Sequence, residues 1–145
     1  MSSLTEAKKS LSESELDNLI IESLAARDRA YCPYSKFSVG AALLTEDGTI
    51  IKGCNVENAS YGLTICAERN AICQAVAGGR QKFKAIVISG DVGDKFITPC
   101  GACRQTLVEF GVDWDVYLAK PNKQYCKTTV ASLIPNSFTP NDLIS

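Results

Sequence analysis

Apolar residues recur at Leu16, Leu19, Ile20 and Leu24, the three-and-four spacing that lines one face of a helix. Ser12 with Glu15 three positions on is a capping box, so a first helix is predicted over about 13–30, with Pro33 beyond its end. The pattern then turns strand-like. Phe37 to Leu44 and Thr49 to Val56 read as strands joined across Glu46-Asp47-Gly48, where an Asp-Gly pair suits a tight hairpin, making them antiparallel neighbours. Ile65 to Ala77 returns to helical spacing, with Ala71, Ile72, Ala75 and Val76 on its expected inner face and Gly78-Gly79 ending it. Lys84 to Ser89 is a short unbroken apolar run, as expected of a strand covered on both faces. Pro99 introduces a third helix, about 101–110, which Gly111 closes, and Trp114 to Ala119 is the next strand. The break at Lys120-Pro121-Asn122-Lys123 is too short for a parallel crossover, so Tyr125 to Val130 should run antiparallel to the strand before it. A short helix near 130–134 precedes Pro135 and Pro140.

The element order is therefore α-β-β-α-β-α-β-β, with the second helix crossing between strands, two of which run parallel. That predicts a three-layer α/β/α sandwich around a five-stranded mixed sheet. At 145 residues and 46% apolar side chains, one domain over residues 12–145 can bury roughly 70% of its unfolded surface. Residues 1–11 lack apolar periodicity and are expected to be a flexible tail. No repeat or low-complexity segment interrupts the chain.

Composition narrows the chemistry. Fifteen basic residues against sixteen acidic ones leave a net charge of −1 with no basic block, which argues against a nucleic-acid partner. No run of 18 apolar residues is present, and the N-terminus is polar and acidic where a secretory signal needs a basic patch and an apolar core. No membrane partner and a cytoplasmic location are the expectation. Histidine is absent altogether, which excludes Ser-His-Asp and Cys-His catalysis. Any hydrolytic chemistry must rest on a metal and carboxylates.

Three of the seven cysteines offer ligands for such a metal. In Pro99-Cys100-Gly101-Ala102-Cys103 two thiols at i and i+3 fall on one side of a first helical turn, and thiolates bind zinc tightly. Cys66 provides a third ligand, and with no fourth Cys or His at a matching spacing a tetrahedral ion keeps one position open, as catalytic zinc sites do. Cys32, Cys54, Cys73 and Cys126 stand alone and read as inert buried thiols. Alone, Cys100 and Cys103 would equally suit a redox pair or a structural zinc knuckle. Glu68 tips the balance. In mid-helix Cys66 and Glu68 diverge by about 200°, but at a helix N-terminus both can converge on an object lying off the end of the axis. Without the cysteines, Glu68 would be an ordinary first-turn acid.

On Cys66-Ala67-Glu68-Arg69 and Pro99-Cys100-Gly101-Ala102-Cys103-Arg104-Gln105 the chain resembles the homotetrameric, zinc-dependent cytidine deaminases of pyrimidine salvage. The likeness extends to Tyr31-Cys32-Pro33-Tyr34-Ser35, Phe37, Val39 to Leu43, Asn55-Val56-Glu57-Asn58 and Ser137-Phe138, so it covers the chain from about residue 12 onward. It implies a cytidine deaminase-like fold, one zinc per chain on Cys66, Cys100 and Cys103, and Glu68 as the proton carrier in conversion of cytidine and 2′-deoxycytidine to the uridines and ammonia. It further implies that Phe37 packs on the base, that Asn55 and Glu57 hydrogen-bond a ribose hydroxyl, and that Tyr61 and Ala67 line the pocket. Phe138 matches the residue by which a neighbouring subunit closes the pocket; the alternative is an anchor against its own core. Arg69, with Arg104 as a second candidate, would tune the zinc by donating to the sulfurs, the alternative for Arg69 being a surface ion pair.

Three other readings remain open at this level. A polynucleotide-editing deaminase would share the zinc motifs but needs a basic, aromatic groove, which near-neutral charge and 8% aromatic residues do not supply. A structural zinc module would need a fourth protein ligand. A deaminase of another small aminated ring, such as an antibiotic nucleoside or a nucleotide, is the more serious rival to the nucleoside reading; for a phosphorylated substrate a clustered Arg/Lys pair near the pocket motifs is lacking.

Overall fold

A computed structural model of the chain describes residues 10–144. The expected tail over 1–11 thus lies almost wholly outside the described residues; Leu11, at its end, packs against the apolar cluster beneath the first helix.

Helix α1 spans Glu13–Arg27. Its capping box forms as the sequence requires: the Glu15 N–H donates to Ser12 Oγ at 3.1 Å, and the Ser12 N–H donates to the Glu15 carboxylate at 3.0 Å. The helix stops about three residues sooner than its periodicity suggests. Tyr31 is drawn into a bridge with Val56, its N–H donating to Asn55 O at 2.9 Å while its carbonyl accepts from Glu57 N at 2.8 Å. A tertiary pairing outweighs local helical preference there.

Strands β1 (Gly40–Thr45) and β2 (Ile50–Cys54) form the expected antiparallel hairpin, with Gly48 in the left-handed region that its turn demands. Helix α2 (Ala67–Ala77), strand β3 (Phe83–Ser89), helix α3 (Gly101–Val108), strands β4 (Asp115–Ala119) and β5 (Tyr125–Thr129) and the short helix α4 (Val130–Leu133) follow. The sheet order is β2-β1-β3-β4-β5. Only β3 and β4 pair in parallel, with α3 crossing between them; the other neighbours are antiparallel, including β4 with β5 as predicted. Helix α2 crosses over β1 to join β2 to β3, which run in the same direction.

Alternation along the strands sorts two cores, one on each face of the sheet. Ala42, Leu44, Ala85, Val87, Tyr117 and Ala119 pack with Leu16, Leu19 and Ile20 of α1. Ala41, Leu43, Ile86, Ile88, Val116 and Leu118 pack with Ala67, Ala71, Ile72 and Ala75 of α2 and Leu107 and Val108 of α3. This is the expected three-layer sandwich. One helix face differs from expectation. Val76 points outward, and the buried stripe of α2 begins instead with Ala67 and Glu68. A carboxylate therefore occupies an inner position of the helix, where an aliphatic residue would be the cheap choice.

Candidate metal centre

Helices α2 and α3 lie on the same face of the sheet, and both start at the end where β2 and β3 finish, because each follows one of those two parallel-running strands. Ligand sites in open α/β sheets form at such carboxyl ends. Close approach fixes the height of α2 above the sheet. A Cβ on Gly53 would lie 2.5 Å from Ala67 O and 2.6 Å from Ala71 N, so only glycine lets the first turn of α2 rest on β2. Asn70 adds a pin, its Oδ1 accepting from Cys54 N at 3.2 Å, and paired bonds of 2.9 Å between Val56 and Ile65 guide the chain into the helix.

Cys66 occupies the N-cap of α2 and Cys100 the N-cap of α3, both with extended backbone and neither helix carrying a side-chain cap. Cys103 stands on the first turn of α3 and is fully buried, Cys66 is half-buried and Cys100 exposed. The three sulfurs lie within 4.8 Å of one another, the one such cluster among the described residues. A tetrahedral zinc with Zn–S bonds of about 2.3 Å would space them about 3.8 Å apart, so the donor set and its spread fit a zinc ion held by three protein ligands. One thiol of the cluster, Cys66, is prepared for deprotonation. Cys103 donates to Cys66, and Arg69 adds a hydrogen bond and its charge, so the Cys66 thiol is held well below the ordinary range while the Cys103 thiol is pushed up. The two helix N-termini favour the thiolate further. Of the remaining cysteines, Cys32, Cys54 and Cys126 are half-buried, and Cys73 is exposed on the outer face of α2, contrary to the buried thiol expected there. None joins the cluster.

Glu68 follows Cys66 by two residues and is 5% exposed. Burial raises its pKa, with the negative charge of Cys66 adding to the effect. Arg69 turns towards the sulfurs, Nη2 donating to Cys66 Sγ at 3.4 Å, and forms no ion pair among the described residues. Its buried Nε has no hydrogen-bond partner among the described residues. Arg104 departs from the expected role. Its Nε donates to Pro99 O and its Nη1 to Leu133 O, each at 2.7 Å, so it ties the α3 entry to the end of α4 and leaves the sulfurs to Arg69.

A cavity of about 380 Å³ is lined by Tyr34, Ser35, Glu57, Tyr61 and Thr64. It brings together Glu57 and Tyr61 among the sequence-selected residues. Glu57 is held in place: Oε1 accepts from the N–H groups of Tyr34 and Ser35, both at 3.1 Å, and Oε2 accepts from Ser35 Oγ. The Ser35 hydroxyl above all keeps its pKa below the usual glutamate value. Asn55 is 9% exposed and spends part of its amide on the backbone, Nδ2 donating to Phe37 O at 2.8 Å and Oδ1 accepting from Val39 N at 2.9 Å. One N–H and one lone pair remain for a ligand. Phe37 is half-buried against the α2/α3 core. Ala67 is fully buried in that core, backbone as well as methyl. Phe138 is not among the residues lining this cavity and is 56% exposed, with its carbonyl accepting from Gln105 Nε2 at 2.8 Å. Sequence reasoning gave no role to Tyr34 and Ser35; the signal was a serine two residues before Phe37, where its hydroxyl accepts the Phe37 N–H at 3.0 Å in a side-chain turn.

Comparison with known proteins agrees with this geometry. The family model described as "Cytidine and deoxycytidylate deaminase zinc-binding region" matches residues 13–119. A Dictyostelium discoideum protein named "Probable cytidine deaminase" is 50% identical over 135 residues, 93% of this chain and 91% of that one. The cytidine deaminase of Sporosarcina psychrophila is 49% identical over 130 residues, 89% of this chain and 95% of that one. The crystal structure of cytidine deaminase from Burkholderia pseudomallei superposes with a TM-score of 0.82 at 44% identity, covering 88% of this chain and 100% of that chain.

Proposed function

This chain belongs to the cytidine and deoxycytidylate deaminase family, and from that premise we propose that it hydrolyses cytidine and 2′-deoxycytidine to uridine and 2′-deoxyuridine, releasing ammonia in pyrimidine salvage, with Glu68 as its proton carrier. The observation that carries the reading is a buried carboxylate two residues from Cys66, within a cluster of three sulfurs at meeting helix N-termini. Cys66, Cys100 and Cys103 hold zinc, which when bound lowers the pKa of a water enough for it to lose a proton near neutral pH. Glu68 accepts a proton from the attacking water and delivers it to N3 of the ring as the oxygen adds to C4. It then carries the second water proton to the 4-amino group, which departs as ammonia, leaving the N3–H and C4 carbonyl of uridine. One carboxyl thus acts as base and then as acid, and its burial keeps it from losing protons to solvent between the two transfers. Arg69 offsets the charge of three thiolates by donating to Cys66.

Phe37 packs on the base, Asn55 and Glu57 take a sugar hydroxyl, and Tyr61 completes the wall. The Glu57 cavity is lined by a carboxylate and no Lys or Arg, which favours an uncharged sugar over a phosphorylated one. Copies of the chain associate as a tetramer in which Phe138 closes a neighbour's pocket. Exposure of Tyr61 and Leu63, at 76% and 63%, and of Phe138 supports an interface on these loops. No helix among the described residues is long and apolar enough to cross a membrane, and reduced thiols suit a cytoplasmic enzyme. The test is incubation of purified protein with cytidine while following ultraviolet absorbance and ammonia, with zinc determined in parallel. Stoichiometric ammonia and about one zinc per chain are expected; bound zinc with unchanged cytidine would move the substrate to another aminated ring.

A further inference from the structure

The turn over residues 32–36 closes on itself, the Lys36 N–H donating to Cys32 O at 3.0 Å with Lys36 in the left-handed region (φ 60°). A lysine accepts that conformation only at some cost in energy, so something else holds the loop in this shape. What holds it is the Glu57 carboxylate, which takes both successive N–H groups of Tyr34 and Ser35 and the Ser35 hydroxyl. The same hydroxyl oxygen accepts the Phe37 N–H at 3.0 Å, while the Phe37 carbonyl accepts from Asn55. Ser35 therefore joins, through one oxygen, the backbone that carries the base-packing ring and the carboxylate that faces the cavity.

Resting on the nucleoside reading above, we propose that Ser35 is a positioning residue that sets the Glu57 carboxylate and the Phe37 backbone in register, so that base and sugar are read as one unit. A second consequence concerns capacity. A carboxylate offers about four acceptor positions; Oε1 is filled by two donors and Oε2 takes one. A single position on Oε2 remains for a ligand, so Glu57 recognises one sugar hydroxyl and is indifferent to the other. Without the Ser35 hydroxyl, Oε2 loses its one donor and the Phe37 N–H its acceptor, so the carboxylate is held by Oε1 alone and its link to the Phe37 backbone is broken.

The experiment is a double-mutant cycle on Ser35 and Glu57, with steady-state kinetics on cytidine and with zinc content and melting temperature as controls. Ser35→Ala should raise KM roughly tenfold and leave kcat within about twofold, as expected for a lost charge-assisted hydrogen bond that serves binding. Ser35→Thr, which keeps the hydroxyl, should recover most of the loss. In a Glu57→Ala background, Ser35→Ala should cost clearly less in kcat/KM than it does in wild type, because only its hold on the Phe37 N–H remains to be lost. An equal loss in both backgrounds would make Ser35 a plain structural residue of the loop and overturn the proposal. So would an unchanged KM in the single variant of an otherwise active enzyme. Wild-type protein inert towards cytidine would remove the nucleoside reading and the role of Ser35 with it.

Discussion

Adding one methyl group at Gly53 should disturb catalysis from beneath the site. The Cβ of Gly53→Ala would lie 2.5 Å from Ala67 O and 2.6 Å from Ala71 N, whereas side-chain carbons essentially never come closer than 3.0 Å to such atoms. Both obstacles are backbone, so the first turn of α2 must retreat by at least 0.5 Å, the difference between those two distances. That turn carries Cys66 and Glu68. Overpacking of this kind costs about 2 kcal/mol, and for a domain of this size about 3 °C of melting temperature accompanies each kcal/mol, giving a fall of about 6 °C. A misplacement of about 1 Å costs on the order of a hundredfold in rate, so a shift of half that size should lower kcat about tenfold in the folded protein. Gly40→Ala is the matched control. Its Cβ would meet Ser23 O at 2.0 Å, forcing α1 away from the opposite face of the sheet. It should melt at least as early as Gly53→Ala yet keep kcat within about threefold at a temperature where it is folded. Thermal unfolding together with kcat on the folded fraction decides the matter. Wild-type kcat in Gly53→Ala, or equal kcat losses in both variants, would refute the claim that α2 height sets the geometry of the metal centre.

Three further outcomes are expected. Removing zinc with a chelator should abolish activity and expose the Cys66, Cys100 and Cys103 thiols to a disulfide reagent; readdition of zinc should restore activity and protection, and unchanged thiol reactivity would contradict the ligand set. Glu57, held below the usual glutamate pKa, stabilises its loop fully above that usual value and loses the contribution only as pH falls through the lowered one. A carboxyl carbon titration by NMR should therefore place its midpoint below that of an unconstrained glutamate, and Ser35→Ala should raise it. Phe138→Ala should weaken association, read by light scattering, and raise KM for cytidine; a monomeric, fully active wild-type protein would contradict shared pockets.

Local chemistry was legible in the sequence wherever a short motif suffices. Ser12 with Glu15 forms its capping box, Asp47-Gly48 makes the turn, and Cys100 and Cys103 share the first turn of α3. The convergence of Cys66 with that pair was legible only because a carboxylate follows it. What escaped depended on partners distant in sequence. The end of α1 is set by the pairing of Tyr31 with Val56, and the strand order places β1 between β2 and β3, neither of which periodicity encodes. Val76 falls outside the inner face of α2 because the helix turns Glu68 inward, a choice made by the site and not by apolar patterning. Arg104 looked equivalent to Arg69 beside its cysteine, yet the carbonyls of Pro99 and Leu133 claim it. The side-chain turn of Ser35 onto the Phe37 N–H is a local signal, but its bond to Glu57, 22 residues away in sequence, is not.

Glu68 is where the account can be tested most directly. Wild type and Glu68→Gln should be compared for cytidine turnover at equal zinc content, since glutamine keeps the shape of the side chain and removes its ability to carry a proton. The account predicts full zinc occupancy in both proteins and a loss of kcat of at least about a hundredfold in the variant. A Glu68→Gln enzyme that holds zinc and turns cytidine over at close to the wild-type rate would contradict it.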